Sequence, residues 1–389
     1  MRLAAARSQA ARRALEPAGL AGLCRWPIQR AAATAAPRHA AAAYSTDVAE
    51  SSPMLSFTAD RKLFAEGLPD LVDHANIYNN PGIKQNWRRD QASLPKDIAM
   101  LRRKKAQVVI ERLANAQANG SLESLAPGML ITGGAGSGKT MALLHVVHWA
   151  KTSGWLVCYV PNARQWTHGA YWEPHPQIAG SMVQTDLVFN FLRSFALTNA
   201  SLLESVPLQY DLTFGDSEPP AGVPQIGAAQ GHTLADLLDI VPRFNSPEPE
   251  EPEGTLAVDP HVIFVAEHLK RELDAQTALP LLVAIDQFNF LFDQSGYHEL
   301  HGRGMITPTV PVSRLRLCEL FLNFKEETLA NGAMVGAVCR GHPRRGDSDK
   351  LRLWAGEMQQ FRVGRFTPEE TLTMLEYWSA SSLACPLMA

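Results

Sequence analysis

Eight consecutive residues, Gly133, Gly134, Ala135, Gly136, Ser137, Gly138, Lys139 and Thr140, have the types and spacing needed to hold a nucleoside triphosphate. Glycines let the backbone fold so that successive amides point at phosphate oxygens. The positive end of a following helix adds to that field. In such a P-loop, Lys139 brings a point charge to the β- and γ-phosphates and Thr140 offers its hydroxyl to Mg2+.

A P-loop also needs a second strand that delivers a carboxylate to the metal. The run Leu281, Leu282, Val283, Ala284, Ile285, Asp286 supplies it, with Asp286 as the expected metal residue. The next position carries Gln287, where many ATPases of the AAA+ type place the glutamate that activates water. An amide cannot accept that proton, although it can orient a water molecule, so Gln287 predicts hydrolysis that is slow or dependent on a partner. No other residue is singled out as catalytic, and whether the chain is an enzyme stays open. Arg340, after a later apolar run, reads either as a sensor of the γ-phosphate or as a surface cation of the 340–345 cluster. No Asn-Lys-x-Asp segment is present to read guanine, so the residues leave the base undetermined, GTP, GDP or ATP.

The elements needed to position these residues are legible around them. Residues 129–132 form an apolar strand entering the glycine loop, and 139–151 a helix leaving it, stopped at Ser153 and Gly154. Further apolar strands are expected at 155–160, 281–286, 333–339 and, more weakly, 359–363. Helical patterns fall at 98–118, 186–200, 233–240, 261–274, 313–330 and from 368 to 378. This order predicts an α/β P-loop NTPase domain with a doubly wound and mostly parallel sheet over residues 121–378. A helical N-terminal extension is expected over 46–120. The stretch 246–254 is acidic and proline-rich, too charged to pack a core, and reads as a solvated insertion.

Residues 1–45 differ from the rest. They hold seven arginines, seventeen alanines and one acid, Glu16, the composition of a mitochondrial transit peptide. That leader carries a charge of +6; with −3 for the whole chain, the remainder is −9. A general nucleic-acid coat is therefore disfavoured, and any RNA contact must be local. No apolar run approaches the roughly 18 residues a membrane helix needs. The five cysteines, Cys24, Cys158, Cys318, Cys339 and Cys385, form no CxxC pair and read as thiols of a reducing compartment.

Other clusters are weaker. His145 and His148 share a face of the helix after the glycine loop, but no third ligand is evident and packing is the expected role. The stretch 166–176 lacks metal spacing. The basic spots 87–89 and 102–105 could touch RNA phosphates, although most such runs are solvated faces.

Taken together, the block at 79–87, the loop 133–140, the strand 155–160, the segment 281–290 with its Val-Ala-Ile-Asp-Gln-Phe core, and 335–343 resemble the death-associated protein 3 family. The resemblance spans about residues 60–378. It implies an AAA+-like nucleotide-binding protein of the mitochondrial small ribosomal subunit, in the matrix, near the bridges to the large subunit. Its partners would be small-subunit proteins and ribosomal RNA, and its usual ligand GTP or GDP with Mg2+. On that reading the protein is a structural component that supports mitochondrial translation. The alternative is a free mitochondrial AAA+-type ATPase that remodels a protein or RNA. The family usually continues with helical sequence after Trp378, where residues 379–389 form only a short tail.

Overall fold

The computed structural model describes residues 54–56, 99–216, 218, 220, 222–247, 256–292, 294–301, 305–322, 329–339 and 356–380. The leader, most of the expected N-terminal extension, the bulk of the acidic insertion, Arg340 and the tail from residue 381 onward lie outside them.

In chain order the elements begin with β1 (Met54–Ser56), β2 (Ala99–Leu101), α1 (Lys104–Ala118), β3 (Met129–Gly133), α2 (Lys139–Thr152) and β4 (Leu156–Val160). Next come α3 (Ala163–His168), β5 (Glu173–Pro174), β6 (Met182–Val183), α4 (Thr185–Asn199), α5 (Leu234–Asp239), β7 (Asn245–Pro247), β8 (Leu256–Val258) and α6 (Val262–Ala275). The rest are β9 (Leu281–Asp286), β10 (Gln294–His301), β11 (Met305–Pro311), α7 (Arg316–Leu320), β12 (Gly332–Ala337), β13 (Gln359–Val363) and α8 (Pro368–Ala380).

Five of the strands form one parallel sheet in the order β13-β3-β12-β9-β4. Strands β4, β9 and β12 are buried at every position, which is why they read as unbroken apolar runs rather than alternating ones. Helices α1 and α2 pack with alternate strand residues, among them Ile131, Tyr159, Leu282, Val335 and Phe361, to form the main core. Trp149 of α2 and Trp155 meet there at 5.3 Å between ring centroids. Helix α4 lies against β4, and α6 lies against α4.

Strand β4 ends the sheet, and an edge strand must satisfy its outer backbone groups. Asn199, the last residue of α4 and fully buried, does so. Its Oδ1 accepts from the Val157 N–H at 2.8 Å and its Nδ2 donates to the Val157 carbonyl at 2.9 Å.

The α/β expectation with a parallel sheet is observed, and two local expectations are corrected. The helix predicted over 98–118 starts only at Lys104, because 99–101 pair as β2 with β1. Of the helix predicted over 313–330, the described residues show a 3₁₀ turn, Val312–Arg314, and the short α7, which ends at Leu320; residues 323–328 lie outside those described. Residues 294–301 and 305–311, for which the sequence predicted no element, form the antiparallel pair β10–β11.

Candidate functional site

The five parallel strands all present their carboxyl ends to one edge, where ligands of open α/β sheets bind. At that edge β3 runs through residues 133–138 into α2. Gly133, Gly136 and Gly138 have φ of 150°, 69° and 85°. Gly138 caps α2 in the left-handed conformation, which L side chains adopt at a cost. Gly133 is also fixed by space: a Cβ there would lie 2.3 Å from the Val363 carbonyl oxygen of β13.

Within this loop Lys139 is buried, and its Nζ donates to the Gly134 carbonyl at 2.7 Å. The Ser137 hydroxyl is buried without a hydrogen-bond partner. Thr140, in the first turn of α2, donates its hydroxyl to Asp286 Oδ2 at 2.8 Å. Asp286 is only 4% exposed, and its Oδ1 accepts the Gln287 N–H at 2.8 Å. Gln287 has a φ of 56°, alone among the described non-glycine residues in being positive. That turn stops β9 and aims the residues after it across the sheet edge, where Asn289 Oδ1 accepts the Cys339 N–H beyond β12.

The residues 133–140, Asp286 and Gln287 are thus brought to one place. Strands β3 and β9 are not neighbours; β12 lies between them. The arrangement can present main-chain amides and one ammonium group to an anion, with a hydroxyl and a carboxylate beside it for a hard cation.

Sequence reasoning missed Arg103. It fell within a basic run expected to be a solvated face, yet it is 7% exposed and bonded internally. Its Nη1 donates to the Ser137 carbonyl at 3.0 Å, its Nη2 to the Gly364 carbonyl at 3.0 Å, and its Nε pairs with Glu370 at 3.0 Å. The guanidinium also lies 4.4 Å from the Phe366 ring centroid. Nothing local in the sequence signals this, because its partners lie 34 and 261 residues downstream.

The histidine pair packs, as expected. His145 is buried with neither ring nitrogen hydrogen-bonded. Burial, then Arg102 and His148, lower its pKa to about 4, so the ring is neutral. Among the described residues no group of three or more His, Cys, Asp or Glu is placed to hold a metal. Cys158, Cys318 and Cys339 are free thiols, and burial pushes Cys158 up to about 12. No described helix is long and apolar enough to cross a membrane.

Fold and site together define an α/β protein with a five-stranded parallel sheet, a strand–glycine loop–helix unit and a carboxylate carried to that loop by a second strand. A family model described as mitochondrial ribosomal death-associated protein 3 matches residues 100–352, and the chain belongs to that family. Membership places it among mitochondrial ribosomal proteins. No curated protein sequence matches it significantly.

Proposed function

We propose that this protein is a structural component of the mitochondrial small ribosomal subunit that keeps a guanine nucleotide on a P-loop and hydrolyses it slowly or not at all. The observation that carries the nucleotide reading is the bond between Thr140 and Asp286 beside a loop whose lysine is already turned inward. The residues fit the group: the loop amides and Lys139 would hold the phosphates, and Thr140 and Asp286 would hold Mg2+. When bound, the ion offsets phosphate charge. The buried, unpartnered Ser137 hydroxyl supports the fit, since a buried polar group without a partner is costly unless a ligand completes it.

Gln287 supports slow turnover. Its side chain cannot take a proton from water, while its backbone N–H holds Asp286. A bound nucleotide would then act as part of the fold, adding about 4 kcal/mol of stability at a thousandfold excess over its Kd. Ribosomal proteins and RNA as partners, and a matrix location, extend from family membership; guanine as the base rests on the resemblance.

The test is sedimentation of tagged protein from mitochondrial lysate, followed by identification of the nucleotide it retains. Co-migration with the small subunit, carrying GTP or GDP, is the expected result. A ribosome-free oligomer that turns over ATP would overturn this reading in favour of a remodelling ATPase.

A further inference from the structure

The Arg103 guanidinium joins two parts of the chain, the glycine loop and the start of α8. On the loop side, Nη1 donates to the Ser137 carbonyl. The Ser137–Gly138 peptide is trans, the described cis bond being Ala126–Pro127. A planar trans peptide points its C=O and N–H in opposite directions. Holding the Ser137 carbonyl against Arg103 therefore turns the Gly138 N–H away from Arg103, on the opposite side of the loop backbone. The fit is close, since a Cβ on Gly138 would lie 3.3 Å from Arg103 Nη1.

On the α8 side, Arg103 grips the first turn of the helix. Glu370 Oε2 accepts the Thr367 N–H at 2.9 Å, and the Thr367 hydroxyl accepts the Glu370 N–H at 3.1 Å, a reciprocal cap. The other oxygen, Oε1, takes Arg103 Nε. Closing the cap of α8 and orienting Arg103 thus use one carboxylate. Helix α8 is otherwise lightly held, with Leu372 and Leu375 about half exposed.

We propose that Arg103 is the positioning residue through which α8 sets the phosphate affinity of the glycine loop. With the α8 cap formed, Glu370 fixes the guanidinium and the guanidinium fixes the Ser137–Gly138 peptide. With α8 displaced, Arg103 loses its carboxylate and the loop loses its outer support. By linkage the effect is reciprocal, so phosphate bound in the loop must also steady α8. This inference rests on nucleotide binding as proposed above.

The experiment measures Kd of the full chain for fluorescent GDP, with amide exchange of α8 recorded with and without GDP. Glu370→Gln keeps the cap but removes the charge, and is expected to weaken GDP about fivefold. Arg103→Lys, which cannot make the fork, should weaken it roughly tenfold. The double variant should lose little more than Arg103→Lys alone, and GDP should slow exchange in α8 of the wild type but not of Arg103→Lys. Lys139→Ala serves as the control for the site itself. Wild-type affinity in Glu370→Gln and Arg103→Lys, with binding lost in Lys139→Ala, would overturn the coupling and leave the nucleotide site standing. Failure of the wild type to bind GDP would overturn both.

Discussion

Thr140 Oγ1 donates to Asp286 Oδ2 across 2.8 Å, joining the first turn of α2 to the last residue of β9 over 146 residues of sequence. A hydroxyl and a carboxylate at this distance, beside an inward-turned lysine, are the two protein groups a hard cation would share.

Replacing Asp286 with Asn keeps the size and an acceptor for Thr140 while removing the charge. Nucleotide affinity in the variant is expected to lose its dependence on Mg2+. Titrations with and without the ion check this; an unchanged magnesium response would remove Asp286 from the metal role.

Lys139→Ala should lower retained nucleotide and stability together. In the free protein it removes the bond to the Gly134 carbonyl, a loss of about 1 kcal/mol. With GDP in thousandfold excess over the wild-type Kd the gap should widen by about 4 kcal/mol. Thermal melts with and without GDP read both; retention of nucleotide by the variant would defeat the P-loop assignment.

His145 predicts a stability loss in acid. Its pKa falls from 6.5 to about 4 on folding, so the unfolded chain takes up a proton that the folded chain refuses. Stability is complete above pH about 6.5 and declines as pH falls toward 4, by up to about 3 kcal/mol from this residue. His145→Leu should flatten that part of the profile at little cost near neutrality, where the ring is already unbonded. Urea midpoints of the two proteins between pH 7 and pH 4.5 that fall in parallel would reject the assignment.

Asn199→Leu removes both caps on the outer edge of β4. Two buried backbone groups left without partners should cost about 2–4 kcal/mol. Chemical denaturation gives the number, and a loss below about 0.5 kcal/mol would mean that water or a neighbouring group replaces the amide.

The phosphate-type loop and the aspartate were legible because their signals are local. Glycines at 133, 136 and 138 announce positive φ within a few residues, and an apolar run ending in aspartate announces a buried strand reaching the sheet edge. Helix ends were harder. Residues 98–103 continue the apolar pattern of α1, yet 99–101 pair with β1 instead, because a partner strand more than forty residues away outweighs weak local preference.

By itself, then, the sequence determined which segments are buried strands, where the backbone must turn on glycine, and which lysine, threonine and carboxylate could serve a nucleotide. These follow from side-chain size, polarity and backbone freedom, properties carried by each short segment. Only the tertiary structure decided that β12 separates β3 from β9, that Thr140 meets Asp286, and that Arg103 is a buried tie between the glycine loop and α8. Those facts depend on contacts between distant segments, and a guanidinium in a run of basic residues looks solvated until its carbonyls and carboxylate are brought to it.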